Sequence, residues 1–166
     1  DQSRAQHIEV IKAGLDRMRD TVRNLLDYSR QSELSIRRSS LPEVVKRGLA
    51  LVEAMLRKNK VALQVDFQEN LPPVDIDTQK IQDVIVNIVL NAIYAMEDGG
   101  TISIESSYDD QFVSLAISDT GTGVPMELRE KIFDPFFSTK GQGKGTGLGL
   151  ALSRSIIEQH GGQLQL

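Results

Sequence analysis

Four groups of residues have the types and spacing to do chemistry. Asn87 and Asn91 stand four apart in an otherwise apolar run, so on a helix both carboxamides leave from one face. A lone amide there would be a satisfied core or surface residue. Two on one face of a buried helix point to a polar pocket, because an unpaired buried amide costs about 1 to 3 kcal/mol. Asp119-Thr-Gly-Thr-Gly123 follows the alternating residues Val113, Leu115 and Ile117. As a bare pattern it describes a turn. Its glycines would also let a flat ligand approach the backbone, and its carboxylate could accept from an exocyclic amino group. Ile132-Phe-Asp-Pro-Phe-Phe137 clusters Phe133, Phe136 and Phe137 ahead of Ser138-Thr-Lys140. Clustered aromatics are commonly core; beside glycine-rich loops they read as an anchor for a mobile segment, with Lys140 as a phosphate contact. Gly141 to Gly149 holds five glycines in nine residues and runs into a helix. It is either a flexible linker or a loop offering backbone N–H groups and a helix N-terminus to an anion.

Other chemistries are excluded. Gly143-Lys144 is followed by Gly145, and no apolar strand precedes it, so the loop is not a Walker A motif. A dinucleotide fingerprint also fails, for want of a strand leading into the loop and a later ribose-binding acid. With no cysteine, the 166-residue chain has neither disulfides nor thiolate sites, and His7 and His160 are too far apart for zinc-ligand spacing. A formal charge of -4, from 19 Lys plus Arg against 23 Asp plus Glu, gives no global pull toward nucleic acid or anionic membrane. No apolar run reaches the 18 or more residues of a membrane span.

The elements that must position these groups follow from periodicity. Ile8, Ile11, Leu15, Met18, Val22 and Leu25 form a heptad seam, which predicts a helix from about Ser3 to the Ser32 region, packed in a hairpin or bundle completed by a second chain. The polar stretch Gln31 to Ser40 reads as a hinge. Ser40-Leu-Pro-Glu43 predicts a capping box opening a helix to about Arg57. Val61, Leu63, Val65 and Phe67 alternate as a strand. Asp77 is placed to cap a long helix that carries both asparagines and ends near Asp98-Gly-Gly100. Ile102 and Ile104, then Val113 to Ile117, predict two strands joined through Ser106 to Gln111. A helix from about Leu148 to Gln159 precedes Gly161-Gly162, and Gln163 reads as the start of a further strand. The sum is an α+β fold: a two-layer α/β sandwich with a mostly antiparallel mixed sheet, preceded by a long helix.

Asn87-Ile-Val-Leu-Asn91, Asp119-Thr-Gly-Thr-Gly123, Phe133-Asp-Pro-Phe-Phe137 and Gly145-Thr-Gly-Leu-Gly149 resemble, in that order, the N, G1, F and G2 boxes of two-component sensor histidine kinases. Leu15 to Arg30 is similar to the second helix of that family's dimerisation domain, and Asn91-Ala-Ile-Tyr-Ala-Met96 with Phe136-Phe-Ser-Thr-Lys140 to its nitrogen-regulation and oxygen-sensing subgroup. The resemblance implies the Bergerat ATP-binding fold over residues 39–166, its last strand incomplete, and a partial dimerisation and phosphotransfer helix over residues 1–38. It implies a cytoplasmic, ATP-dependent protein-histidine kinase. Asn91 would hold Mg²⁺ between the phosphates, with Asn87 beside it. Asp119 would bind the adenine amino group, with Gly121 and Gly123 lining the base, and Gly145, Thr146, Gly147, Leu148 and Gly149 would wrap the triphosphate. Phe133 and Tyr94 join the implied ATP contacts. Tyr94 stands where many members have lysine, so Lys140 or Lys144 would supply the cation.

The implied partners are a response-regulator receiver domain and a second copy through the N-terminal helix, without nucleic acid or membrane contact by this chain. The accepting histidine of the family lies in a box that neither His7 nor His160 matches, so it is expected outside this chain, and His160 is expected to be structural. Two rivals share the fold: a gyrase-like or chaperone-like hydrolase, and a nucleotide-gated protein-binding module without kinase activity. The hydrolases place a glutamate general base where Asn87 stands, and an amide cannot take that proton.

Overall fold

The computed structural model describes Lys12, Gly14, Leu15, Arg19, residues 33–139 and residues 146–166. The four early positions are helical; the rest of the expected seam, Lys140 and Gly141 to Gly145 lie outside the described residues. Strand β1, Arg37–Ser39, leads into helix α1, Leu41–Lys58, and strand β2, Val61–Phe67. Strand β3, Val74–Ile76, leads into helix α2, Thr78–Ala95. Strands β4, Gly100–Tyr108, and β5, Val113–Asp119, follow, then two short 3₁₀ turns and helix α3, Gly149–Gln159.

The main sheet has the order β2-β4-β5, with β2 and β4 parallel and β4 and β5 antiparallel. A parallel pair needs a crossover, which β3 and α2 supply. Register puts Leu63 opposite Ile102, and Val65, Ile104 and Ile117 in one row, so the middle of one sheet face is apolar, with Asp119 opposite Ile102 at one end of it and Ser106 opposite Leu115 at the other. Helices α1 and α2 pack on that face and α3 packs against α2, and the other face carries Gln64, Asp66, Ser103, Glu105, Ser114 and Ser118. The expected two layers and mixed sheet are present. Val44, Val45, Val89, Ile102 and Ile104 are fully buried between them, each contributing about 1.5 to 3 kcal/mol. Gly48 lets α1 approach α2 closely: a Cβ there would meet Ile85 Cγ2 at 3.2 Å.

Three local readings are corrected. The stretch read as a hinge contains β1, whose residues Arg37, Arg38 and Ser39 pair antiparallel with Ile76, Asp75 and Val74. So polar a strand has no alternation to reveal it, and the apolar residues of its two-stranded ribbon, Val74 and Ile76, belong to β3. Ser40 caps α1 only by position, since its side chain makes no capping hydrogen bond; Pro42 in the first turn removes one of the N–H groups a cap would serve. Gln163 to Leu166 form no strand, because they reach no partner to share a ladder among the described residues.

Candidate functional site

The site is built around α2. Asp77 Oδ1 accepts from the N–H groups of Gln79 (3.1 Å) and Lys80 (3.1 Å), so the helix starts where its sequence says it should. Its buried stripe of Ile81, Val84, Ile85, Val89, Ala92 and Ile93 turns Asn87 and Asn91 to the flank, where both are half-buried. Tyr94, one turn further, is 55% exposed.

The Asp119 turn is pinned onto the last turn of α2. Thr122 N–H donates to the Ala95 carbonyl at 3.2 Å. Thr120 ties the same turn to β4, its N–H donating to Thr101 O at 3.2 Å and its Oγ1 accepting from Thr101 N–H at 3.0 Å. Gly121 must be glycine at this contact, because a Cβ would stand 2.7 Å from Ala95 O. Asp119 is exposed, and its Oδ1 accepts from Gly121 N–H at 2.8 Å. Gly123 adopts φ +66° with open space around it.

On the other flank, α3 brings the far end of the glycine-rich loop to α2. Asn87 Nδ2 donates to Ser153 Oγ at 2.9 Å, and a Cβ on Gly149 would collide with Asn87 Oδ1. Thr146 Oγ1 accepts from Leu148 N–H at 3.3 Å, and Leu148 is fully buried. Phe136 N–H donates to Gly147 O at 2.9 Å, closing the two ends of the segment against each other. Gly147 has φ +67°, and a Cβ there would meet Phe136 and Phe137 backbone atoms. Phe136 itself has φ 69°, a strained conformation for an aromatic residue.

The three phenylalanines divide. Phe133 is buried beneath the Arg154 guanidinium, which stands 4.3 Å from the ring centroid, whereas Phe136 is 64% exposed. Phe137 is half-buried, so Phe133 is the most buried of the three, and it packs on α3. Two clefts beside α3, one at Phe133 and Pro135 and one at Gln163 to Gln165, share Arg154 and Glu158 and include none of the asparagines or Asp119.

His160 ends α3 and holds it to the start of α2. Its Nε2 accepts from Asp77 N–H at 2.9 Å, and Nδ1 faces Ile156 O at 2.7 Å, so the neutral ring carries its proton on Nδ1. Asp77 Oδ2 also accepts from Ser35 N–H at 2.9 Å. Burial works to raise the Asp77 pKa, but the N–H groups of Ser35, Lys80 and Gln79 hold it below the usual carboxylate value. Sequence reasoning missed Ser153, Arg154 and the Ser35 link. Of these only Ser153 left a trace, as a hydroxyl four residues after Gly149.

Residues 76–166 match the family described as histidine kinase-, DNA gyrase B-, and HSP90-like ATPase. The chain belongs to this family. It is 33% identical over its whole length to the signal transduction histidine-protein kinase AtoS of Escherichia coli strain K12, of which it spans 27%. The sensor kinase CckA of Brucella abortus strain 2308 is 37% identical over 92% of the chain, which spans 18% of that protein. The catalytic domain of histidine kinase ThkA superposes with a TM-score of 0.68 at 35% identity, covering 76% of this chain and 82% of that one. ThkA in complex with the response regulator TrrA gives 0.79 at 31% identity, covering 96% and 46%. The family domain here is therefore of the histidine kinase catalytic type, an α+β sandwich that uses ATP. No helix among the described residues is long and apolar enough to cross a membrane.

Proposed function

We propose that this chain is the ATP-binding core of a sensor histidine kinase. It binds Mg-ATP and transfers the γ-phosphoryl group to a histidine on a dimerisation helix outside the chain, for relay to a response-regulator aspartate. The observation that carries this reading is the convergence on α2: Asn87 is tied to the root of the glycine-rich loop, and the Asp119 turn is tied to Ala95 at the same helix's end. Those ties supply, around one helix, an acceptor for the adenine amino group and a helix N-terminus for phosphates. Asp119 Oδ1 already holds Gly121, so Oδ2 is the atom offered to the base. Gly147 and Gly149 give the triphosphate an approach to the backbone at the start of α3, with Lys140 or Lys144 as the cation. Phosphoryl transfer asks mainly for positioning and charge neutralisation, which amides, backbone donors and a lysine provide.

Among the described residues no group of three His, Asp or Glu could form a metal cage. Asn91 would hold Mg²⁺ through its amide oxygen, a hard donor of the kind that ion takes, together with the phosphates of the nucleotide. When bound, the ion neutralises charge on the transferred phosphoryl group.

The expected boundary between residues 38 and 39 falls inside β1, whose Arg37–Ser39 pair with β3, so the partial dimerisation helix that pairs with a second copy is assigned to residues ahead of Glu33 and the ATP-binding domain to residues 33–166. The complex of ThkA with a response regulator supports a receiver domain as the partner. Titration calorimetry tests the site: Asp119→Ala is expected to lose ATP binding, whereas Asn91→Ala should still bind ATP but lose its enhancement by Mg²⁺. Tight ATP binding by Asp119→Ala would sink the adenine assignment, and steady ATP hydrolysis by the chain would favour the hydrolase.

A further inference from the structure

Ser153 is, with Asp77, one of two buried polar residues in the described chain, at 2% exposure. It lies on the inward face of α3, one turn beyond Gly149, and its Oγ receives Asn87 Nδ2 at 2.9 Å. Gly149 lies against the other end of the same carboxamide, so close that a Cβ would collide with Oδ1. The Asn87 amide is thus clamped by two residues of one helix turn, its nitrogen toward Ser153 and its oxygen toward the α3 N-terminus. A hydroxyl can donate as well as accept, so Ser153 alone would tolerate either orientation of the amide. The helix end breaks the tie: its unpaired N–H groups carry partial positive charge, which favours the amide oxygen over the NH₂ group beside Gly149.

We propose that Ser153 is a positioning residue of the nucleotide site, fixing the Asn87 carboxamide so that its oxygen faces the phosphate end of that site. The proposal rests on the ATP-site reading above and deepens it. The chemistry follows from the two ends of an amide. Oxygen presented to a magnesium-bound triphosphate can accept from its coordinated waters or approach the hard cation, while a flipped NH₂ group would repel the cation. Without Ser153 the NH₂ end loses its buried acceptor and only the helix end is left to hold the amide in place. The requirement for glycine at position 149 has the same origin, since a methyl group there would displace the oxygen.

A double-mutant cycle on the full 166-residue chain tests it, with ATP affinity measured by calorimetry in Mg²⁺ and again in EDTA. Ser153→Ala is expected to weaken binding of Mg-ATP about three- to tenfold, the range of one lost hydrogen bond, with a smaller change in EDTA. In an Asn87→Ala background the same substitution should have no further effect. Nuclear magnetic resonance of the Asn87 side-chain NH₂ gives a second readout that needs no nucleotide: its two proton signals should lose their protection from solvent exchange in Ser153→Ala. Equal effects of Ser153→Ala in both backgrounds, or unchanged Asn87 signals, would overturn the proposal. Failure of the unmodified chain to bind ATP at all would overturn the nucleotide site and this proposal with it. Binding by the unmodified chain without coupling between the two residues would overturn Ser153 alone.

Discussion

At the scale of single residues, two helix starts that look alike in sequence do different work. Ser40 and Asp77 both precede an amphipathic run, but Ser40 makes no capping bond while Asp77 serves Gln79, Lys80 and Ser35. Asp77→Ala is therefore expected to destabilise the chain by about 1 to 2 kcal/mol, as loss of a full cap does. Ser40→Ala should cost less than about 0.5 kcal/mol, like an ordinary surface change. Urea unfolding of both variants compares them, and equal losses would contradict the assignment. The same carboxylate gives stability a pH dependence with a defined sign. Its pKa is lowered in the folded chain, so below the ordinary carboxylate value the unfolded state binds more protons. The Asp77 contribution is full above about pH 4, the unfolded value, and is lost as the pH falls through the lower folded value. Asp77→Asn should flatten the stability curve in that acid range.

At the scale of elements, the described root of the glycine-rich loop is the part whose geometry tolerates least. Gly147 combines φ +67° with backbone atoms of Phe136 and Phe137 where a Cβ would stand, so neither conformation nor space permits alanine. Gly147→Ala is expected to break the Phe136 to Gly147 hydrogen bond and lower ATP affinity at least tenfold. The main sheet and its melting temperature should change little, because the core of α1, α2 and β4 lies elsewhere. Loss of the fold by circular dichroism would show that the loop root is structural. The glycine pattern was legible because close approach and positive φ both select that residue type. The long helices and inner strands were legible because burial on one face writes a period into the sequence. β1 left no such record, because Arg37, Arg38 and Ser39 include no apolar residue to set a period. The contact of Ser153 with Asn87 was equally hidden, since two residues 66 positions apart are joined only by how α2 and α3 pack.

At the scale of the whole molecule, the proposed kinase activity requires an acceptor for the phosphoryl group. The chain has two histidines, and His160 is committed: Nε2 accepts from Asp77 N–H and Nδ1 faces Ile156 O. Phosphorylation at either nitrogen would forfeit a hydrogen bond that ties the end of α3 to the start of α2, and would set a dianion beside the Asp77 carboxylate. His7 lies outside the described residues and lacks the acceptor pattern that the family resemblance implies. The chain spans about a quarter of AtoS, which leaves ample sequence in such relatives for a separate acceptor helix. Incubation of the chain alone with Mg-ATP labelled at the γ-phosphate is therefore expected to leave it unlabelled. Adding a dimerisation domain with its acceptor histidine should produce acid-labile, base-stable label on the added protein, and replacing that histidine should abolish it. The helical arm would supply the docking, so label transfer should also fall if Leu15 and Met18 of the heptad seam are changed to charged residues while ATP affinity stays unchanged. Label on His160 or His7 of the chain itself would refute the division of acceptor and donor, and label on neither protein despite tight ATP binding would favour a nucleotide-gated binding module.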